Sequence, residues 1–354
     1  MNYLGNYEEN KLYGTLENNK ILVATVNNAN FLKVELSVVF DAFNWNHNFE
    51  IPFFNNEAEL YFENYIHSII TQKLEVSEID VTDFNFTSFD IAAITCVLKE
   101  MENNTELDTK TINFSMVLGD VNFVNFSNVV DAGKYFLPIK QSTSTTLKNL
   151  LSFSFYATLF PVKVRLEING VISEINLPSY TSSKKLHTLF IPVEKIIGTN
   201  IDSFTLSLVF SDNSVFTFGK FYVLPPEVDH SLLVYQNSYG TLTSIEFTGA
   251  KKSPISFKSK ENIFIRNNKT SITTNVIEEK SEIYLDTGYI RDESKYDMII
   301  NLLKSFNIYE LPSLKRLITK TPQKITPLET DNFTQRETLI FKYSENDNIY
   351  YRGF

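Results

Sequence analysis

The chain has 354 residues, long enough for two or three domains, because a single core seldom grows beyond roughly 250 to 300 residues. Hydrophobic residues make up 43% of it, including 30 Phe and 18 Tyr, which excludes a chain that is disordered throughout. The net charge of −10 and the single cysteine exclude a general electrostatic footprint for nucleic acid, an intrachain disulfide framework and a Cys-based zinc site.

The N-terminal third predicts an arm followed by a β-sandwich over residues 20–132. Residues 1–19 are polar and rich in Asn, which indicates a flexible arm or an edge segment. Residues 34–40 alternate between apolar and polar side chains, as in a strand with one solvated face. Segment Tyr65–Ile70 fits either a short helical turn or a strand crossing between sheets. A polar loop over 100–110 joins two alternating runs and predicts a hairpin.

Residues 133–226 repeat this order of elements and predict a second β-sandwich. Asn169-Gly170 separates two alternating runs and supplies the positive φ angles of a type I′ turn. Similar elements over about a hundred residues each suggest a tandem duplication of one immunoglobulin-like or fibronectin-like sandwich. Pro225-Pro226 stiffens the chain and marks the next domain boundary.

Residues 227–354 predict a C-terminal α+β domain. Its one strong helix places Tyr296, Ile299, Ile300 and Leu303 on a single face, and Asp292 or Ser294 can cap its start. The predicted strands lie at 232–236, 242–248, 262–266 and 281–286, and near 313–319 and 336–343. The predicted class is therefore mainly β: two tandem sandwiches followed by a domain with one amphipathic helix on a sheet.

The triplet Asp286-Thr287-Gly288 resembles the catalytic motif of retropepsin-like aspartic proteases. That chemistry needs two facing carboxylates, one of which a homodimer could supply. However, Tyr289 stands where that family has Ala or Ser, and no second hydrophobic-Gly signature follows. A strand ending in a turn explains the triplet better, and proteolysis ranks third among the functional hypotheses.

The remaining side chains with reactive chemistry are scattered. His47, His67, His187 and His230 show no spacing for metal ligation, and Cys96 lies in an apolar run typical of a small buried residue. The sequence contains no Walker loop, dinucleotide-binding loop or hydrolase elbow. We therefore predict a protein that is not an enzyme and has no catalytic, metal or cofactor-binding residues.

Six residues are candidates for an interface. Trp45 is the only tryptophan and lies in a polar string, and Tyr239 precedes a Gly in a turn. Residues 1–140 hold eight Lys or Arg against twenty Asp or Glu, and the main basic cluster could meet this acidic front in a neighbouring subunit. The basic cluster consists of Lys315, Arg316, Lys320 and Lys324.

No secretory signal stands at the N-terminus, and no run approaches the roughly 18 apolar residues of a membrane span. We expect synthesis in a cytoplasm and no membrane insertion.

Several motifs of the C-terminal third recur in one family: Tyr239-Gly240, Gly288-Tyr289, Leu302–Ser305 with Ile308-Tyr309, and the closing strand Leu339–Tyr343. In this series the chain resembles the C-terminal part of structural proteins encoded by tailed phages of the Bacteroidetes group. The resemblance implies a virion component of the tail, neck or baseplate that binds copies of itself and other virion proteins. It implies no active-site residue.

A second hypothesis is a carbohydrate- or receptor-binding protein of the adhesin type, in which Trp45 and Tyr239 stack on a surface glycan.

Overall fold

The computed structural model describes most of the chain. The described residues are 1–15, 19–27, 29–40, 43–73, 76, 78–118, 134–137, 139, 141–157, 159–182, 184, 186–225, 229–266, 269–305, 307–319, 323–327 and 335–344. They form six sheets and three helices, so the predicted mainly β class is confirmed.

Sandwich 1 is built from two mainly antiparallel sheets with one helix at its side. In one strand of its larger sheet, alternate residues from Leu32 to Val38 are buried, as the period-two pattern predicts. The helix, α1 (Glu63–Lys73), resolves the choice that the sequence left open at Tyr65–Ile70. The smaller sheet has the order β1 (Asn2–Tyr3), β3 (Ile21–Ala24) and β6 (Glu57–Leu60). The larger sheet has the order β2 (Leu12–Gly14), β9 (Thr105–Val117), β8 (Ala92–Glu102), β4 (Phe31–Phe40) and β5 (Phe43–Pro52).

The hairpin of β8 and β9 turns more tightly than predicted. Asn103 adopts a φ of 56° between the two strands, and Glu102 pairs with Thr105. Most of the expected loop 100–110 is therefore strand.

Sandwich 2 is similar, with the short helix α2 (Val193–Ile196) in place of α1. Its tight hairpin turns at Asn169 (φ 51°) and Gly170 (φ 80°), which confirms the predicted Asn-Gly turn. Its four-stranded sheet has the order β10 (Lys134–Phe136), β12 (Leu150–Ala157), β15 (Leu186–Pro192) and β7 (Asn85–Phe89). Its five-stranded sheet has the order β11 (Ser144–Thr145), β17 (Val215–Val223), β16 (Ser203–Phe210), β13 (Pro161–Ile168) and β14 (Val171–Asn176).

The two sandwiches share one topology, which supports the predicted duplication. The order β2-β9-β8-β4-β5 in the first matches β11-β17-β16-β13-β14 in the second. In both sheets the first pair of neighbours is parallel: β2 with β9, and β11 with β17. The other neighbours are antiparallel. Strand β7 is the exception: it lies within the predicted first domain, 20–132, and pairs with β15 of the second. The first domain thus contributes a strand to a sheet of the second sandwich, and this strand joins the two.

The N-terminal segment is an edge segment of sandwich 1, and the alternative of a flexible arm is wrong for residues 1–15. Tyr7 is 1% exposed and stacks between Phe62 and Phe114, with ring centroids 5.1 Å and 4.4 Å away. Its hydroxyl donates to Glu63 at 2.8 Å. The segment is therefore part of the core of its own sandwich.

The C-terminal domain consists of a seven-stranded antiparallel sheet, one helix and a long hairpin. The hairpin, β21 (Ile255–Arg266) with β22 (Lys269–Ser281), forms a separate two-stranded sheet about 40 Å long at 3.3 Å per residue. The large sheet has the order β19 (Leu242–Phe247), β18 (Ser231–Gln236), β24 (Ile308–Leu311), β25 (Lys315–Thr319), β26 (Thr338–Tyr343), β23 (Ile283–Asp286) and β20 (Lys251–Lys252).

Helix α3 (Glu293–Lys304) packs on one face of this sheet, as predicted. The Asp292 carboxylate accepts a hydrogen bond from the Lys295 backbone N–H at 2.7 Å, which confirms the predicted cap. The buried apolar residues are Met298, Ile299 and Leu302. The contact face is therefore rotated from the predicted one, because the sheet's own side chains decide which part of a broad apolar stripe they cover.

The other face of the seven-stranded sheet packs on sandwich 2, and the contact lies around β19, an edge strand of that sheet. Leu232, Val234 and Leu242 share one apolar cluster with Tyr156 and Phe190. Polar groups cross the same contact, including those of Ser244, whose backbone N–H donates to Ser152 Oγ at 2.9 Å. The C-terminal domain and sandwich 2 are therefore held together by buried contacts.

Candidate interaction surfaces

The aspartate of the Asp-Thr-Gly triplet is the last residue of β23, and the triplet leads into the turn before α3. Asp286 Oδ1 accepts a hydrogen bond from the Gly288 N–H at 2.8 Å, and Gly288 adopts a φ of +66°. Thr287 is buried, and its hydroxyl accepts from the Glu337 N–H at 3.0 Å. The charged group facing Asp286 Oδ2 is Arg336, at 3.9 Å. Turn formation accounts for all three residues of the triplet.

The four histidines lie apart, in different environments. His67 Nδ1 is 2.9 Å from the Thr15 hydroxyl, and burial lowers its pKa. His187 is fully buried beside Tyr180, and His230 approaches Glu246 at 3.1 Å. Among the described residues, no group of three His, Cys, Asp or Glu side chains gathers where it could hold a metal.

Cys96 is buried in sandwich 1, as predicted. Its exposed fraction is 0%, and burial raises the pKa of its thiol to about 12. A thiol with such a pKa carries almost no thiolate near neutrality, so it is unsuited to nucleophilic chemistry.

Trp45 belongs to a row of rings on β5, which we call the aromatic strip: Trp45, His47, Phe49 and, from α1, Tyr65. Trp45 and His47 stack with centroids 5.4 Å apart, His47 meets Phe49 edge-on at 4.6 Å, and Phe49 meets Tyr65 at 5.9 Å. Trp45 pairs with Val38 and Phe49 pairs with Val34, and both valines are fully buried. The strip is therefore continuous with the buried layer of sandwich 1.

The aromatic strip remains accessible to solvent. Trp45 and Phe49 are partly buried against the core of sandwich 1, whereas His47 and Tyr65 are exposed. The alternation of apolar and polar residues does not predict this exposure, because it does not show where the sheet that covers the core ends. The strip is therefore an apolar surface at the side of sandwich 1.

Tyr239 lies at a contact within the chain. It occupies the turn between β18 and β19, which the Asn237 side chain organises by accepting from the Tyr239 N–H at 2.9 Å and donating to Thr241 Oγ1 at 2.8 Å. The Tyr239 ring packs against the apolar cluster shared by the C-terminal domain and the two sandwiches.

The basic cluster does not form one patch. Lys315 and Arg316 are consecutive in β25, so their side chains point to opposite faces of the sheet. Lys315 lies 5.1 Å from the centre of the Tyr343 ring, on the face that carries α3. Lys324 is exposed in a loop, and Lys320 lies outside the described residues. A role for these four residues in an interface stays a prediction.

Comparison with known proteins adds no relative: no family model matches the sequence, and no curated protein matches it. In the part of the chain that the structure covers, the helices are too short or too polar to cross a bilayer.

Proposed function

We propose that the protein is a non-enzymatic structural subunit of a phage particle, placed in the tail, neck or baseplate and acting through contacts with copies of itself and other virion proteins. The observation that carries the proposal is a set of three interlocked β modules with two features suited to contacts: a long hairpin that forms a sheet of its own, and the long edge strand β5. The motif resemblance of the C-terminal third supports the choice of particle.

Interlocking suits a subunit that transmits force or sets spacing. Strand β7 passes from the first sandwich into the sheet of the second, so the two cannot separate without breaking β-sheet hydrogen bonds. The C-terminal domain is fixed to sandwich 2 by an apolar cluster and by the buried Glu246 carboxylate, which accepts hydrogen bonds from the Thr146 backbone N–H and hydroxyl. With these contacts, we expect the three domains to move together as one unit.

The hairpin of β21 and β22 supports a role in assembly. Two isolated strands are at best marginally stable in water, whereas a third strand or a packed face stabilises them. In the described part of the chain, neither strand joins another sheet. A neighbouring virion protein would supply the missing contact.

Mass spectrometry of purified particles tests this proposal, together with complementation of a gene deletion. The wild-type chain should be found in the particles and should restore complete ones. A shortened hairpin, closed at the Glu261–Thr274 pair, should fold but fail to be incorporated. A matched control replaces Gly170 in the β13–β14 turn with Asn and should be incorporated normally. Absence of the chain from particles would overturn the proposal.

A carbohydrate-binding protein is the second candidate, because partly exposed rings such as those of Trp45 and Tyr65 are the kind that stack on sugars. Binding to a glycan array that is lost in Trp45→Ala and kept in Tyr222→Ala, an exposed ring on sandwich 2, would support it. Equal binding by both variants would exclude this site.

A further inference from the structure

We propose that two copies of the chain pair through β5, edge to edge and antiparallel across a two-fold axis. The larger sheets of the two first sandwiches then form one continuous sheet. The inference rests on the proposed role as an assembly subunit, and it names the contact through which copies first associate.

The length of β5 sets it apart from the other sheet edges. Soluble proteins keep edge strands short because a long one exposes a row of backbone groups that pair with other chains. In the five larger sheets of the described chain, β5 has ten residues, and every other edge strand has six or fewer. The chain therefore protects its other edges by shortness and leaves this one long.

The backbone of β5 is regular enough to accept another strand. It pairs with β4 over ten residues without a shift of register, whereas β8 and β9, β13 and β16, and β16 and β17 each contain one. A bulge would twist the edge away from a partner, and Pro would remove a donor. The strand has no bulge, and its proline, Pro52, stands at the end.

The sequence of β5 is suited to pairing with itself. Across a two-fold axis the residue at the axis faces its own copy, and residues placed symmetrically about it face each other, so a charged strand would repel itself. From Phe43 to Phe49 the strand contains no Asp, Glu, Lys or Arg, in a chain in which 21% of residues are charged. The exposed residues on its outer face are Asn44, Asn46 and Asn48, whose amides both donate and accept hydrogen bonds.

The corresponding edge of sandwich 2 shows the contrast. Strand β14 occupies the same place in the same topology but has only six residues. It carries Glu174, which is held by Lys163 at 2.8 Å and Arg165 at 2.7 Å. Two such strands would oppose charged clusters of the same composition. Of the two corresponding edges, β14 is short and carries an ion-paired Glu, whereas β5 is long and uncharged from Phe43 to Phe49.

The aromatic strip adds apolar area to the strand pairing. A two-fold axis perpendicular to the sheet places the inner faces of both copies on the same side, so the strips of both copies meet. Aromatic side chains bury roughly 150–250 Å² each, and a specific interface needs on the order of 1,000 Å². The rings of the two strips therefore add to the area that strand pairing buries.

Sedimentation of the pure chain over a range of concentrations tests the pairing. The wild type should form dimers, and Asn46→Lys should weaken the dimer roughly tenfold or more, because two new ammonium groups face each other near the axis. The matched control Ser173→Lys places the same charge on β14, at an exposed position, and should leave the dimer unchanged. A monomer at every concentration would overturn the proposal, as would a dimer equally stable in both variants.

Cysteine crosslinking tests directly which residues face each other across the two-fold axis, and it does not depend on the lysine variant. Each residue from 44 to 49 is replaced singly by Cys, and the native Cys96 is buried and stays silent. Directly opposed residues of antiparallel strands have Cα atoms about 4.5–5.5 Å apart, within disulfide range. One position should form a chain-to-chain disulfide far more readily than those two residues away. The absence of a disulfide between copies at all six positions would refute the two-fold pairing.

Failure here is distinguishable from failure of the proposed function. These measurements use the purified chain alone, whereas the proposed function is judged by incorporation into particles. A monomeric chain that is still incorporated would remove the β5 pairing and leave the structural role in place.

Discussion

Replacing Tyr7 should destabilise sandwich 1 far more than an Asn-rich N-terminal segment suggests. The ring is 1% exposed between Phe62 and Phe114, and loss of a buried aromatic ring costs about 3 to 5 kcal/mol. Tyr7→Phe keeps the ring and removes the hydroxyl that donates to the buried Glu63, so it should cost about 1 to 3 kcal/mol. Leu4→Ala, at a side chain 50% exposed, should cost less than about 1 kcal/mol.

Urea unfolding followed by tryptophan fluorescence measures these differences, because the only tryptophan, Trp45, lies in sandwich 1. For a urea dependence of about 1 to 3 kcal/mol per molar, Tyr7→Ala should lower the midpoint by roughly 1 to 5 M. If Tyr7→Ala shifted the midpoint no more than Leu4→Ala does, the N-terminal segment would not belong to the core and the assignment of residues 1–15 would be refuted.

Three further outcomes follow from burial and backbone geometry. The Cys96 thiol, with its pKa raised to about 12, should resist alkylation in the folded protein and react at once in urea; rapid labelling of the native chain would contradict its burial. Burial lowers the pKa of His67 below its ordinary 6.5, so the unfolded chain binds that proton more tightly. The free energy of unfolding should therefore fall as the pH drops through 6.5, and His67→Gln should flatten that step in urea titrations at several pH values. Gly288→Ala should cost more than Gly170→Ala, since both have positive φ but only at Gly288 would the new methyl group collide with Thr248; equal losses in thermal unfolding would refute this.

Short-range signals in the sequence predicted local structure well. The Asn169-Gly170 turn, the alternation along β4 and the Asp292 cap each depend on a few neighbouring residues, and each is present. The duplication was also visible, because the same local signals recur in the same order. A turn or a cap is decided within one or two residues of where it forms, so the sequence contains all the information that it needs.

Partners distant in the chain were decided by the fold. Nothing local to β7 distinguishes β15 from a strand of its own sandwich as a partner, and nothing local to Tyr7 places it between two phenylalanines. The split of Lys315 and Arg316 between two faces follows from their place in β25, although adjacency in sequence suggested one cluster.

The sequence by itself determined the mainly β class, the repeated sandwich and the single helix that packs on the C-terminal sheet. Only the tertiary structure decided that β5 is a long edge with an open aromatic strip, because exposure depends on where the covering sheet ends. Alternation reports that a strand has two unlike faces, whereas burial by distant segments decides which faces and edges remain free.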